Sequence, residues 1–517
     1  MVISTFTQRI GRRFWFAVLL VGAVIGLLAA CQATQSAPTQ AELECACSDE
    51  SSLPNGSIDA QLRTVIAQRG LTGDPSVGRA IPNINEPLAQ LGLKLFFTKE
   101  LGGDADSACA SCHLPTMGGG DGLSLPIGVG ALDPDLVGPG RLHPSGGPTV
   151  PRNSPTTFNI ALWDSVMFHD GRVESLGKTP GANGEDGLGI RTPDSAFGVA
   201  DPLAGQNLPM AQARFPVTSK EEMRGFHLDT ATNQDLRDFL ATRLDEAYLT
   251  LGNANGISPW NAEFEAVFGP STTEQPLITE QRIAEAIAAY ERSQLFVNTS
   301  WQTYVQGDDT AISAQAKKGA LLFLQSVEEG GANCASCHVG DFFTDEQFHV
   351  LAVPQLGPGK GDGATGMHDY GRFRETQNPD DMYAFRTPSL LNVAVTAPYG
   401  HDGAYRTLER MIRHILNPAA ALENYDFQQV DEGVQTEFCV ENSQEALAKW
   451  QENREAGILT VEPMTLEDGD VEALVAFLQT LTDPCTQDAA CLSPWMPNPS
   501  RVDFGAFQIV GTPAADD

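Results

Sequence analysis

Cys109-Ala-Ser-Cys-His113 and Cys334-Ala-Ser-Cys-His338 are two copies of one five-residue stretch. Cys-x-x-Cys-His is the attachment signature of c-type haem. Two thiols a helical turn apart can each add to a vinyl group of one porphyrin, and the adjacent His is then held beneath the iron as proximal ligand. A bare Cys-x-x-Cys also reads as a zinc half-site or a redox pair. Here both copies carry the His and the chain bears an export segment, so two covalent haem c groups are expected. Cys109, Cys112 and His113 hold the first, and Cys334, Cys337 and His338 the second.

The chain has 517 residues, more than one domain usually holds, and its 42% hydrophobic content suffices for well-packed cores. Residues 1–30 read as a signal peptide: Arg9, Arg12 and Arg13 form a basic n-region, and residues 14–30 an apolar h-region. That run is short for a membrane span. Leu28-Ala29-Ala30-Cys31 resembles the lipobox of bacterial lipoproteins, in which the Cys becomes the acylated first residue. Arg12-Arg13 lacks the surrounding twin-arginine motif, so the general secretory route is expected, and Gln32 after Cys31 points to the outer membrane. The expectation is a lipid-anchored protein facing the periplasm.

Acidic residues number 66 against 32 basic ones, a net charge of −34, and loss of the signal peptide removes three positive charges and no negative ones. Such a field argues against nucleic acid and steers a basic protein partner, though it also suits a salty habitat. Of ten cysteines, Cys31 is the lipid site and four hold haem. Cys45, Cys47, Cys439, Cys485 and Cys491 remain, an odd number, and Cys485 with Cys491 or Cys439 is the expected disulfide in an oxidising compartment.

Residues 31–82 begin as a Gln/Ala/Ser/Thr/Pro tether. Residues 88–97 read as an amphipathic helix leading into the first haem motif. Ile283, Ile287, Tyr290 and Leu295 give 279–296 helical spacing, and 470–480 is a further helix. Gly/Pro-rich stretches at 118–151 and 177–209 read as long loops, and no convincing sheet is visible. An internal duplication runs through this order. Gly92-Leu-Lys-Leu-Phe96 precedes the first haem motif and Gly319-Ala-Leu-Leu-Phe323 the second. Asn159 leads to His169-Asp170-Gly171 as Asn392 leads to His401-Asp402-Gly403, and Arg152-Asn-Ser-Pro155 echoes Arg386-Thr-Pro388. No period of 20–50 residues marks a solenoid. The expected fold is all-α, two c-type cytochrome domains packed against each other at 83–298 and 299–484, with a tail over 485–517.

Two such domains with these motifs in register resemble the bacterial di-haem cytochrome c peroxidases and their relatives, the di-haem enzymes that mature methylamine dehydrogenase. The resemblance spans roughly 84–484, and its most specific stretch is Gln212-Ala-Arg-Phe-Pro216-Val-Thr-Ser-Lys-Glu-Glu222-Met223. It implies that Glu222 is the acid/base of a peroxide pocket lined by Gln212 and Pro216, with Glu221 the carboxylate to tell apart from it. A haem peroxidase must move a proton from the near to the far peroxide oxygen, and a carboxyl of raised pKa in a partly apolar pocket can do so. Arg152-Asn153-Ser-Pro-Thr156 and Thr396-Ala-Pro398-Tyr399 resemble the segments that hold a calcium ion between the two haem domains. They imply the Asn153 side-chain oxygen and the Thr396 and Pro398 carbonyls as hard ligands.

Three positions depart from the family pattern. His169 in Phe168-His169-Asp170-Gly171-Arg172 stands where the best-known members have an electron-relaying Trp; Trp163 is the candidate substitute. Gly128-Val129-Gly130 carries Val where many members have a removable distal His, which implies an iron open to peroxide without reductive activation; His143 is the competing ligand. The distal ligand of the second haem aligns with Ile415, so His414 is the nearest ligand, with Met411 one turn earlier. Ligation by His414 would lower the potential of that haem. His401 matches a motif beside the haem, whereas His227, His349 and His368 have no assigned role.

The resemblance implies reduction of H2O2 to water at the His113 haem, with the His338 haem taking electrons singly from a small periplasmic donor, a cytochrome c or copper protein. Two alternatives stay open: oxidation of a partner protein's side chains through a high-valent di-haem state, and a non-enzymatic electron carrier with two six-coordinate irons. A homodimer is also left open.

Overall fold

Leu91, Leu95 and Phe96 of the Pro87–Phe97 helix are fully buried against Ile283, Ile287 and Tyr290 of the Glu280–Arg292 helix, in one core. The two backbones touch because Gly92 lies at their crossing: a Cβ there would sit 1.8 Å from the Ala286 carbonyl oxygen. The second half repeats this contact. The Ala314–Leu324 helix crosses the Asp468–Gln479 helix at Gly319, where a Cβ would lie 1.9 Å from the Ala473 carbonyl oxygen. Phe96 packs on Tyr290 at 4.9 Å between ring centroids, and Phe323 on Phe477 at 5.1 Å. The duplication legible in sequence is thus two copies of one helix-pair scaffold, each leading into its haem motif.

The computed structural model describes residues 57–250, 259–270 and 276–498; the signal peptide, Cys31, Cys45, Cys47 and the end of the tail lie outside these. The described chain is mostly helical. The helix expected over 279–296 starts on its Thr279 cap and stops at Arg292. Beyond it the Gln294 carbonyl accepts from Asn159 N–H instead of continuing the helix. Within the stretch read as tether, Ile58–Arg69 is a helix capped by Ser57, and its Leu62 and Ile66 dock into the core of the second half. Two small sheets replace the expected absence of strands: Val166–Met167, Val173–Ser175 and Ile190–Arg191 form one, Phe348–Val350 and Ala384–Arg386 the other. Strands of two or three residues are too short to display the period-two alternation that announces a strand. Cys485 pairs with Cys491, leaving Cys439 a buried free thiol. No helix among the described residues is long and apolar enough to cross a membrane.

Among the contacts that join the halves, two are central. Asn159 and Asn392, both in the left-handed region at φ 62° and 63°, each donate from Nδ2 to the same acceptor, the Phe296 carbonyl, at 3.0 and 2.9 Å. Arg152 grips Asp369 through Nε (2.6 Å) and Nη2 (2.8 Å), and Asp170 through Nη1 (2.6 Å), all three buried. Such a triad is stable only complete, since loss of one member strands a buried charge at a cost of about 3–5 kcal/mol.

The helix crossings give a direct test. Gly92→Ala or Gly319→Ala forces backbone apart and is expected to cost about 1–3 kcal/mol, read from the denaturant midpoint. Gly469→Ala, in a helix with nothing within 4 Å of the added methyl, should leave stability equal or raise it by about 0.4–1 kcal/mol.

Candidate active site

Each haem motif folds as a single 3-10 turn, Cys109–Ser111 and Cys334–Ser336, and in each the His N–H donates to the first Cys carbonyl, at 3.0 and 3.1 Å. His113 Nδ1 donates to the Gly119 carbonyl at 3.1 Å, and His338 Nδ1 to the Phe343 carbonyl at 2.9 Å. A carbonyl can only accept, so Nδ1 carries the proton and the Nε2 lone pair is left for a metal. Burial lowers the pKa of both rings, keeping them neutral as a ligand must be. Burial also raises the thiols of Cys109 and Cys112 well above the ordinary range and that of Cys334 to about 12. Among the described residues the one cluster of three metal-capable side chains is Cys337, Asp345 and His349. Among those residues, then, neither Cys109 nor Cys112 has the further ligands of a zinc site. Both motifs fit haem c; a cavity of about 340 Å3 opens beside His338, walled by Leu71, Leu324, Ala335 and Val339.

Glu222 lies in a wide turn, Lys220–Arg224, in which Arg224 N–H reaches back five residues to the Ser219 carbonyl at 2.8 Å and Gly225 N–H to that of Lys220 at 3.1 Å. Such π-type turns are frequent at functional sites. Two glycines let other segments press on it. A Cβ on Gly103 would lie 1.9 Å from the Arg224 carbonyl oxygen, and one on Gly128 2.4 Å from that of Glu222. Gly103 N–H donates to the Met223 carbonyl at 2.7 Å and Val129 N–H to that of Glu221 at 3.1 Å. The turn is thereby pinned to the segment just before Cys109 and to the Gly128-Val129-Gly130 segment. Glu221 is exposed and Glu222 half-buried. Burial raises the Glu222 carboxyl above its ordinary range, against the pull of Arg172 and Lys360. Its charge adds to the rise of the Cys109 thiol, after burial and Glu291, and to that of the Cys112 thiol, after burial and Asp121. Gln212, in the Leu208–Ala213 helix, and Pro216, which opens the next turn, are half-buried just upstream. Between them Arg214 is fixed to Glu280 at 3.0 Å and to Asp201 at 2.7 Å, tying this stretch to the scaffold helix.

His169 is half-buried, with Nε2 donating to the Asn153 carbonyl at 3.1 Å. Burial, with Arg152 and Arg386 nearby, lowers it to about 4, so it is neutral. Trp163 is poorly suited to take over the relay, because the Arg386 guanidinium lies 3.5 Å from its ring centroid. A fixed cation on an indole face opposes the positive charge of the oxidised ring.

His414 does not offer itself to iron. Its Nε2 donates to the Leu351 carbonyl at 2.9 Å and its Nδ1 accepts from Tyr405 Oη at 2.8 Å, so both nitrogens are committed. The expectation of a His414-ligated second haem gives way to an internal hydrogen bond, and Ile415, half-buried, has no donor atom. His143 sits beside Gly130 with Nδ1 hydrogen-bonded to Ser145 Oγ at 2.6 Å. His401 stacks on Phe385, centroids 3.7 Å apart.

Of the three expected calcium ligands, Asn153 and Thr396 wall one cavity of about 10 Å3, together with Asp121, Thr156 and Ala397. Pro398 is not on that wall; it follows a cis peptide from Ala397. Sequence reading missed Lys360, which belongs to no motif, and Glu291, fully enclosed on the scaffold helix with Oε2 unpartnered and its charge felt at Cys109.

A family profile described as di-haem cytochrome c peroxidase matches residues 86–310. Methylamine utilization protein MauG of Methylophilus methylotrophus is 27% identical over 336 residues, 65% of this chain and 74% of that one. Cytochrome c551 peroxidase of Pseudomonas aeruginosa is 28% identical over 363 residues, 68% of this chain and 81% of that one. Among solved structures, the diheme peroxidase BthA from Burkholderia thailandensis superposes with a TM-score of 0.50 at 22% identity, covering 81% of this chain and 91% of that one.

Burial alone raises Glu291 to about 8. A carboxyl raised by folding stabilises the protein most below its ordinary pKa, and that contribution is lost as pH climbs through about 8. Glu291→Gln is therefore expected to remove a decline of up to about 1.4 kcal/mol per pH unit across that window, measured by unfolding the two proteins at several pH values.

Proposed function

Because this chain belongs to the di-haem cytochrome c peroxidase family, we propose that it is a periplasm-facing peroxidase that reduces H2O2 to water at the His113 site with electrons from a small redox protein. The observation that carries this reading is the half-buried Glu222 on a turn held by the Gly103 and Val129 N–H groups to the chain on either side of the first haem motif. Haem c, once attached, supplies the iron that takes peroxide and the path by which electrons reach it. Glu222 takes a proton from one peroxide oxygen and returns it to the other, so that water can leave. Burial raises its proton affinity, and Arg172 and Lys360 pull the other way. Gln212 and Pro216 line the pocket. Val129, held against the Glu222 turn, brings no nitrogen to the iron.

The His338 site takes single electrons. Its donor is a basic cytochrome c or copper protein, drawn by the acidic surface. Cys31 anchors the mature chain to the outer membrane through lipid, and the Cys485–Cys491 disulfide suits that oxidising compartment. A second reading, oxidation of side chains on a partner protein, is favoured by His169. A neutral imidazole between the haems conducts holes poorly, which leaves oxidising equivalents near the peroxide site for longer.

Glu222→Gln, with both haems still attached, is expected to lower peroxide turnover by about 10^2–10^4-fold; undiminished turnover with a reduced small cytochrome would overturn the assignment. Optical and EPR spectra should show an open, high-spin His113 iron. Two six-coordinate, low-spin irons in every oxidation state would leave an electron carrier instead.

A further inference from the structure

Asp121 lies on the wall of the small cavity shared with Asn153 and Thr396, 3% exposed. Its Oδ1 accepts from Leu123 N–H at 3.1 Å, but its Oδ2 is buried without a partner. The nearest cation that acts on it, Arg141, gives its own donors to the carbonyls of Ile127 (2.6 Å), Leu136 (2.6 Å), Gly128 (2.9 Å) and Pro134 (3.1 Å). Asp431, the other charge nearby, is an acid. A buried carboxylate oxygen with neither cation nor hydrogen-bond donor is unfavourable unless something positive meets it.

The rest of the wall supplies hard oxygen. Asn153 Nδ2 is fixed on the Leu123 and Ser124 carbonyls at 2.9 and 3.2 Å, which leaves its amide oxygen uncommitted among the described residues. The Asn153 backbone is itself clamped, its N–H on the His401 carbonyl and its carbonyl receiving His169 Nε2. Thr396 and Ala397 come from the other half of the chain, and Gly118 allows the two halves to meet there, since a Cβ on it would lie 2.1 Å from the Val395 carbonyl oxygen. The cavity's volume is that of a single small occupant.

We propose that Asp121 supplies an anionic oxygen, through Oδ2, to a calcium ion seated in this cavity, beside the Asn153 amide and the Thr396 carbonyl. This rests on the calcium reading of the Asn153 and Thr396 segments and adds to it a charge. With Asn153, Thr396 and Pro398 alone the ligand set is neutral; with Asp121 it carries one negative charge, and charge count is what sets calcium affinity in oxygen sites. Asp121 sits eight residues beyond His113, so the ion would tie the first haem motif to the second half.

The test is calcium titration of the full haem-loaded chain after chelation, by calorimetry, together with its thermal unfolding with and without calcium. The expected result is one calcium per chain, bound about 10–100-fold more weakly by Asp121→Asn, with a smaller rise in Tm on adding calcium. In the metal-free state Asp121→Asn should melt no lower than the parent, because the amide can keep the Leu123 hydrogen bond without a stranded charge. Unchanged affinity in Asp121→Asn would overturn the carboxylate as ligand and leave the calcium site standing. Absence of calcium uptake by the parent chain would overturn both. Equal loss of Tm with and without calcium would assign Asp121 a purely structural role and sink the proposal.

Discussion

Two helices can cross with their backbones in contact only where one of them has no side chain, and this chain meets that condition once in each half. Gly92 under the Ala286 carbonyl and Gly319 under that of Ala473 set the depth of each crossing. Everything near the haems is measured from there. The Pro87–Phe97 helix ends within a short run of Cys109, and Ala108, Ala110 and Leu114 around the motif join the same core as Leu91 and Tyr290. On the other side, Ala335 and Phe343 join the core of Phe323 and Phe477. Widening either crossing by a methyl would move a haem-bearing turn relative to the carbonyl that orients its histidine. The Asn159 and Asn392 side chains then lock the two scaffolds together on a single acceptor, the Phe296 carbonyl, so neither half can shift without breaking the other's hydrogen bond.

What sequence could reveal was whatever chemistry is written in consecutive residues. The helix expected over 88–97 is local in this sense, and it runs from Pro87 to Phe97. The duplication was legible because glycine and asparagine cannot be exchanged freely at a backbone contact or a left-handed turn. What failed was anything made by distant segments. Asp121 meets Thr396 only through folding, and Gly103 and Gly128 read as ordinary loop residues until the Glu222 turn is seen pressed between them. His414 failed for a related reason. Helical spacing fixes which residue follows which, but Tyr405 and the Leu351 carbonyl, which claim both its nitrogens, come from outside its helix. The Ile58–Arg69 helix was hidden by the composition of the tether before it.

Two arginines, Arg152 and Arg386, act on His169. Arg152 is neutralised by Asp170 and Asp369, whereas Arg386, over Trp163, makes no ion pair among the described residues. Its guanidinium is lowered to about 10 by burial, against the attraction of the more distant Glu346 and Asp170. Both arginines hold His169 neutral, and a positive charge arriving on His169 or on Trp163 would meet the same repulsion.

The two halves then differ in what closes over each haem motif, not in how the motif is held. Beside His338 the cavity is walled by Leu71, Leu324, Ala335, Val339 and Gly340 together with the polar Gln68 and Arg69, and its lining includes no carboxyl. The electron entry proposed there needs no proton carrier, since an electron tunnels without any atom changing partners. Beside Cys109 the chain folds the Lys220–Arg224 turn inward, backed by glycines on two sides and tethered through Arg214 to Glu280. Splitting peroxide requires a proton to be held and moved over a short, fixed distance, and a flexible loop could not keep Glu222 to that tolerance. A duplicated scaffold holds the two histidines alike, and the proposed division of tasks between them rests on the rigidity of that one added turn.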